Sequence, residues 1–415
     1  LMQLAQLRKE YEAWQAKKLA LDMSRGKPGA DQTALSDDLL DARWVSPPKA
    51  ENGADCRNYG VPDGIPEAKR LFGALMGVPD DQVIVCGNAS LTLMYDYLVQ
   101  CMFQGATAEL KPWAAQGAVK FLCPVPGYDR HFAILESLGI EMINVPMLAD
   151  GPDMALVAEY VKDPLVKGLI CVPKYSNPEG KTFSEATVRA FAALQPAAPD
   201  FRVIWDNAYC VHDLYDTTDP LLNILATAKE AGTEDNFIVV TSFSKVSFPG
   251  AGVAAIAASP TNIKAIKARM GIQTIGHDKL NQLRHVRYFR DMAGIEQHMQ
   301  QHAAILRPKF EEVLGILERD LAGLADWTAP RGGYFISLDL PAGCAKRTHQ
   351  LLKEAGVVLT PAGATFPYGK DPEDRNLRIA PTFPPTAELR QAAELLTLCA
   401  RIAILENAEN KSKTF

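Results

Sequence analysis

The chain has 415 residues, enough for two domains or for one large domain with a smaller one appended. Hydrophobic residues make up 47% and charged residues 22%, with a net charge of -6, so no basic excess points to nucleic acid. No apolar stretch approaches the length needed to span a bilayer.

The first 21 residues are amphipathic and charged rather than signal-like, and the cytoplasm is the expected compartment. Eight cysteines are scattered without a Cys-x-x-Cys pair, several within apolar runs, and are expected to be reduced core residues.

From residue 83 onward, short apolar runs alternate with stretches of helical periodicity. The runs predict strands at 83–86, 119–123, 141–145, 168–172, 202–205, 237–241 and 252–257, with helices at 90–103, 129–138, 184–194 and 220–230. This order predicts an α/β fold with a mainly parallel seven-stranded sheet between helices. A helical stretch over 280–324 follows, with Pro308 as the expected interruption or helix start. From residue 329 the composition suggests a smaller α+β unit, with a helix at 345–355, a short strand at 357–359 and another at 376–380. The expected division is an N-terminal segment 1–45 joining the small domain, a large domain 46–290 and a small domain 291–415.

Ligands of open α/β sheets bind beyond the carboxyl ends of the strands, so the residues that follow each run carry the chemistry. After the first comes Gly87-Asn-Ala-Ser90, where free N–H groups at a helix start and the Ser90 hydroxyl can hold a phosphate; a plain serine cap is the alternative. After the second, Tyr128 sits on a Pro-Gly-Tyr turn, where its ring can stack on a flat cofactor or simply pack in the core. Asn177, in Asn-Pro-Glu-Gly180, can donate its amide to a phenolate oxygen, although Asn-Pro is also a common turn.

The fifth run ends in Asp206-Asn-Ala-Tyr209. A carboxylate there can pair with a protonated pyridine nitrogen and Tyr209 can bond a phenolic oxygen; the same spacing also suits a helix cap with a packed tyrosine. The sixth run delivers Lys245, in Ser242-Phe-Ser-Lys245, out of a buried strand and among hydroxyls. A lysine amine is nucleophilic near neutral pH when desolvation lowers its pKa. With Ser242 and Ser244 available to a phosphate ester, Lys245 suits a Schiff base with pyridoxal 5′-phosphate; a solvated lysine at a strand end is the plain alternative.

Taken in order, Gly-Asn-Ala-Ser, Pro-Gly-Tyr, Asn-Pro-x-Gly, Asp-x-Ala-Tyr and Ser-x-Ser-Lys resemble the fold-type I aminotransferases of class I/II, from about Leu21 to the C-terminus. The resemblance implies pyridoxal 5′-phosphate on Lys245, with Asp206 on its ring nitrogen, Asn177 and Tyr209 on its phenolic oxygen, and Tyr128 stacked on the ring. It implies that Ala89, Ser90, Ser242 and Ser244 hold the phosphate, and that Arg378, in Asn376-Leu-Arg-Ile-Ala, binds the substrate α-carboxylate. Gly26 matches a substrate-covering loop. Tyr59 matches a tyrosine sent to the neighbouring subunit's phosphate, which implies a homodimer with composite sites.

The chain departs from many relatives at Gly252, where they carry a phosphate-clamping arginine. The runs 21–28, 57–60 and 242–252 resemble a divergent bacterial subgroup of aspartate aminotransferases, which implies aspartate and 2-oxoglutarate as substrates. A dicarboxylate needs a second cation, for which Arg25, Lys27 and Arg57 are unranked candidates, an exposed charge or a structural ion pair being the plain alternative for each. The alternatives are an aminotransferase of broader or aromatic specificity, a lyase using the same cofactor and, more remotely, a non-catalytic regulator that senses it. No metal and no membrane or nucleic-acid partner is expected.

Overall fold

Successive side chains along the strand Phe237–Ser242 enter two different cores, because a strand buried on both faces sends alternate residues to opposite sides. Phe237 and Val239 join Val203, Trp205, Leu169 and Cys171, whereas Ile238 and Val240 join Ile204 and Ile170. Helices Pro66–Met76, Glu185–Ala192 and Ile224–Ala231 cover the first face. Helices Ser90–Phe103, Asp129–Ser137 and Pro260–Gln273 cover the second.

The computed structural model describes residues 2–413. Its central sheet runs in the order Val83–Val85, Ala254–Ala258, Phe237–Ser242, Arg202–Asp206, Val166–Cys171, Lys120–Val125, Glu141–Leu148 and Gly151–Pro152. Pairing is parallel from Phe237–Ser242 through to Glu141–Leu148, and Ala254–Ala258 is antiparallel to both of its neighbours. All seven expected strands are present in the expected α/β arrangement. The eighth, Gly151–Pro152, is a two-residue addition too short to leave an apolar run. The parallel register pairs Cys171 with Trp205 and Asp206 with Val240, so the residues after these strands emerge at one edge of the sheet.

The expected interruption at Pro308 does not occur. Pro308 lies inside the 30-residue helix Met292–Leu321. Loss of one backbone hydrogen bond there, at a cost of ~3 kcal/mol, is offset by buried side chains on both sides of it, including Met299, Ala303, Leu306, Phe310 and Val313. The break falls earlier, after Lys279–Phe289, where Arg290 takes φ 68° and Asp291 caps the long helix through the Gly294 amide.

A third core gathers Leu4, Leu7 and Tyr11 from the first helix, Met2–Ala16, with Phe310, Val313 and Leu317 and with Leu395 and Leu396 of Thr386–Lys413. The chain returns through the parallel pair Leu21–Asp22 and Val357–Val358. In the adjoining three-stranded sheet, Ser337 lies opposite Arg378. No helix among the described residues is long and apolar enough to cross a membrane. The eight cysteines are unpaired and all but Cys210 are buried.

Candidate active site

The strand ends converge on one cavity of 630 Å³. Gly26, Ala89, Ser90, Tyr128, Asn177, Asp206, Tyr209, Ser242, Ser244, Lys245 and Arg378 all line it. Tyr59 does not. It is 80% exposed and lies beside Arg57 and residues 276–280, on a separate surface depression.

Asp206 forms the polar floor. Its Oδ2 lies 2.9 Å from His131 Nε2, both side chains are buried, and its Oδ1 has no hydrogen-bond partner. A buried carboxylate oxygen without a partner costs free energy unless a donor meets it, so the cavity presents a site for one. His131 stands three residues beyond Tyr128 at the start of Asp129–Ser137, and the two rings meet edge to face at 4.9 Å. The sequence reading missed His131; its three-residue spacing from Tyr128 was the available signal.

Lys245 Nζ lies 5.3 Å from the Tyr209 ring centroid and 5.9 Å from that of Tyr334. Burial lowers its pKa, Asp206 opposes that shift and Arg378 adds to it. Burial also raises the phenols, Tyr128 to about 12 and Tyr209 well above its ordinary value, with nearby charges including Asp206 adding to the effect. Both tyrosines therefore remain hydrogen-bond donors at neutral pH.

At the opposite end, the helix Ser90–Phe103 starts with Ala89 as its cap and no side-chain cap bond, so Ser90 is the first helical residue rather than the cap. Its unsatisfied N–H groups open on the cavity beside Ser242 and Ser244, whose hydroxyls lie 3.1 Å apart. Ser244 Oγ also donates to the Asn88 carbonyl at 3.0 Å. At Gly252 a Cβ would come within 3.0 Å of Ser244 N and of the Phe248 carbonyl, and Asn281 Nδ2 donates to the Gly252 carbonyl at 2.8 Å. The loop is packed backbone to backbone at Gly252, which leaves no room there for a side chain without displacing its neighbours.

Arg378 is buried on the far side. Its Nη1 donates to Asp129 at 2.8 Å and to Asn177 Oδ1 at 3.2 Å, its Nη2 to Thr360 Oγ1 at 3.0 Å, and its guanidinium lies 4.7 Å from the centroid of Phe335. Its Nε is buried without a partner. Asp129, Thr360 and Phe335 escaped the sequence reading because they meet Arg378 only through tertiary packing. Of the three candidate cations, Arg25 and Lys27 line the cavity, whereas Arg57 lies on the separate depression beside Tyr59, with its guanidinium paired with Asp55 at 2.8 Å.

A family model described as aspartate amino-transferase matches residues 2–412. The chain is 45% identical over 406 residues to the aspartate aminotransferase of Corynebacterium glutamicum, covering 97% of this chain and 94% of that protein. The crystal structure of an aspartate transaminase from C. glutamicum matches with a TM-score of 0.95 at 44% identity, covering 98% of this chain and 96% of that one. An alpha-aminoadipate aminotransferase from Thermus thermophilus, solved with N-(5′-phosphopyridoxyl)-L-leucine, matches with a TM-score of 0.76 at 21% identity over 93% of each chain, a likeness of fold alone.

Proposed function

The chain belongs to the aspartate amino-transferase family and is an aminotransferase of fold type I, and from that premise we propose that it transfers the amino group of aspartate to 2-oxoglutarate with pyridoxal 5′-phosphate as cofactor. The observation that carries the reading is Asp206 Oδ1, a buried carboxylate oxygen without a partner in the cavity that also holds Lys245 and Arg378. A protonated pyridine nitrogen is the donor such an oxygen lacks. The other residues fit the same group: an amine at Lys245, and a helix start with two hydroxyls for a phosphate.

When bound, the cofactor supplies an electron sink for the negative charge that develops at the substrate Cα. Asp206, held by His131, would keep the proton on the ring nitrogen. Asn177 and Tyr209 would bond the phenolic oxygen and Tyr128 would pack on the ring. Ser90, the backbone at Ala89, Ser242 and Ser244 would hold the phosphate. Arg378 offers its unpartnered Nε to the substrate α-carboxylate, and its Nη2 would join it by giving up the 3.5 Å contact with the Ser24 carbonyl, a fork that fixes the direction of the Cα–H bond. Lys245 Nζ, its pKa lowered by burial, takes the Cα proton as general base and returns it as general acid. Gly26 brings the loop at 24–27 over the cavity, where Arg25 or Lys27 meets the distal carboxylate.

Part of the same reading is a homodimer in which Tyr59 completes the partner's phosphate site. The exposure of Tyr59, Ile272 and Ile275, brought together by a bond from Gly60 N to the Ile275 carbonyl at 3.1 Å, supports it. The reading also divides the chain into a large unit over 46–290 and a small one formed by 1–45 with 291–415.

The test is the half-reaction with aspartate in the absence of an oxo acid. Conversion of the cofactor to its amine form with stoichiometric oxaloacetate is expected. Pyruvate release without that conversion would make the chain a lyase, and equal conversion by aromatic amino acids would remove the aspartate preference.

A further inference from the structure

Consecutive residues of the strap that carries Lys245 are each met by an imidazole. His212 Nε2 lies 3.3 Å from the Lys245 carbonyl. His298 Nε2 and His302 Nε2 lie 2.9 and 3.0 Å from the Val246 carbonyl. His285 Nε2 lies 2.7 Å from Ser247 Oγ. All four rings are buried, and burial holds His212 down to about 3 and His285 and His302 to about 4, so these stay neutral at physiological pH.

A carbonyl only accepts, so His302 carries its hydrogen on Nε2 and has an acceptor at Nδ1. The donor for that acceptor is Gln32 Nε2, at 3.1 Å. The second hydrogen of the same amide goes to the Tyr334 hydroxyl at 3.0 Å, and the Tyr334 ring is one of the two beside Lys245 Nζ. Gln32 Oε1 accepts from Gly29 N at 3.1 Å. Gln32 is fully buried and all its side-chain hydrogen-bonding groups are engaged, which makes it a rigid joint rather than a surface polar group. Gly29 lies two residues beyond the run Ser24–Arg25–Gly26–Lys27 that lines the cavity.

We propose that Gln32 and His302 are positioning residues that tie the strap bearing Lys245 to the cavity-lining loop at 24–27, so that the place of the amine and the place of the loop over the substrate are set together. The inference rests on Lys245 being the cofactor lysine. It adds that the N-terminal segment, more than 200 residues away in sequence, fixes that lysine's setting.

The test uses the holoenzyme loaded with pyridoxal 5′-phosphate and reads the pH midpoint of its visible absorption band without substrate, then KM and kcat for aspartate. Gln32→Met keeps the volume and removes all three hydrogen bonds. It is expected to shift the midpoint by about half a unit or more and to raise KM about ten-fold with a smaller fall in kcat. His302→Gln retains an N–H for the Val246 carbonyl and is expected to stay nearer the parent than His302→Ala in both readouts. Lower thermal stability with parental midpoint and KM in Gln32→Met assigns the network to folding alone and overturns the proposal. If Gln32→Met does not accumulate folded, equal midpoints for His302→Gln and His302→Ala overturn it instead. A parent chain without any such band overturns the reading of Lys245 itself, and this inference with it.

Discussion

His131 Nε2 and Asp206 Oδ2 lie 2.9 Å apart beneath the cavity, which fixes the carboxylate in the plane that leaves Oδ1 as its one open acceptor. Asp206→Asn keeps the shape and removes the charge. It is expected to lower kcat for aspartate by about 10²–10³-fold, the cost of removing one preorganised electrostatic partner. His131→Phe loosens the carboxylate without removing it and should cost less than Asp206→Asn. Steady-state kinetics on the two variants check the order, and equal losses would contradict it.

Arg378→Lys retains a positive charge but not the planar fork. Because hydrogen bonds to charged groups contribute about 1.5–3 kcal/mol, KM for the amino acid is expected to rise roughly 10–100-fold, and more than kcat falls. An unchanged KM would place the α-carboxylate elsewhere.

Gly26→Ala tests how closely the loop lies over the site. A Cβ at Gly26 would fall 2.2 Å from Phe335 Cζ, and the Phe335 ring is buried against the Arg378 guanidinium. The methyl must displace the loop or the ring, so a loss of about 1–3 kcal/mol in stability is expected together with a raised KM. Calorimetry and kinetics on the same preparation show whether both occur.

Lys167 and Asp200 form an ion pair at 2.8 Å, with both side chains only 3% exposed, and Gln116 Oε1 accepts a second bond from Lys167 at 2.6 Å. Lys167→Met leaves a buried carboxylate without its cation and is expected to destabilise the fold by about 3–5 kcal/mol, whereas the double variant with Asp200→Asn should recover part of that loss. Urea unfolding measures both, and a single-variant loss below about 1 kcal/mol would show that the pair is solvated.

Legibility in the sequence followed the range of the physics. Runs such as Phe237-Ile-Val-Val declared themselves as strands because both faces are buried, and the residues after them gathered in one cavity because parallel strands share an exit edge. Pro308 misled because a local rule met a helix held by long-range packing. Arg57 had a local signal for its ion pair, an aspartate two residues before it. His131, Asp129 and Gln32 had little or none, since their partners lie 75, 249 and 270 residues away and only the fold brings them together.

In the proposed reaction Lys245 both binds the cofactor and moves the proton. The direct measurement compares parent and Lys245→Ala, each loaded with pyridoxal 5′-phosphate, by following cofactor absorbance after aspartate is added. The parent is expected to convert rapidly to the amine form. The variant should bind aspartate yet convert at least ~10²-fold more slowly, because it lacks the general base. Conversion of Lys245→Ala at the parental rate would contradict the account.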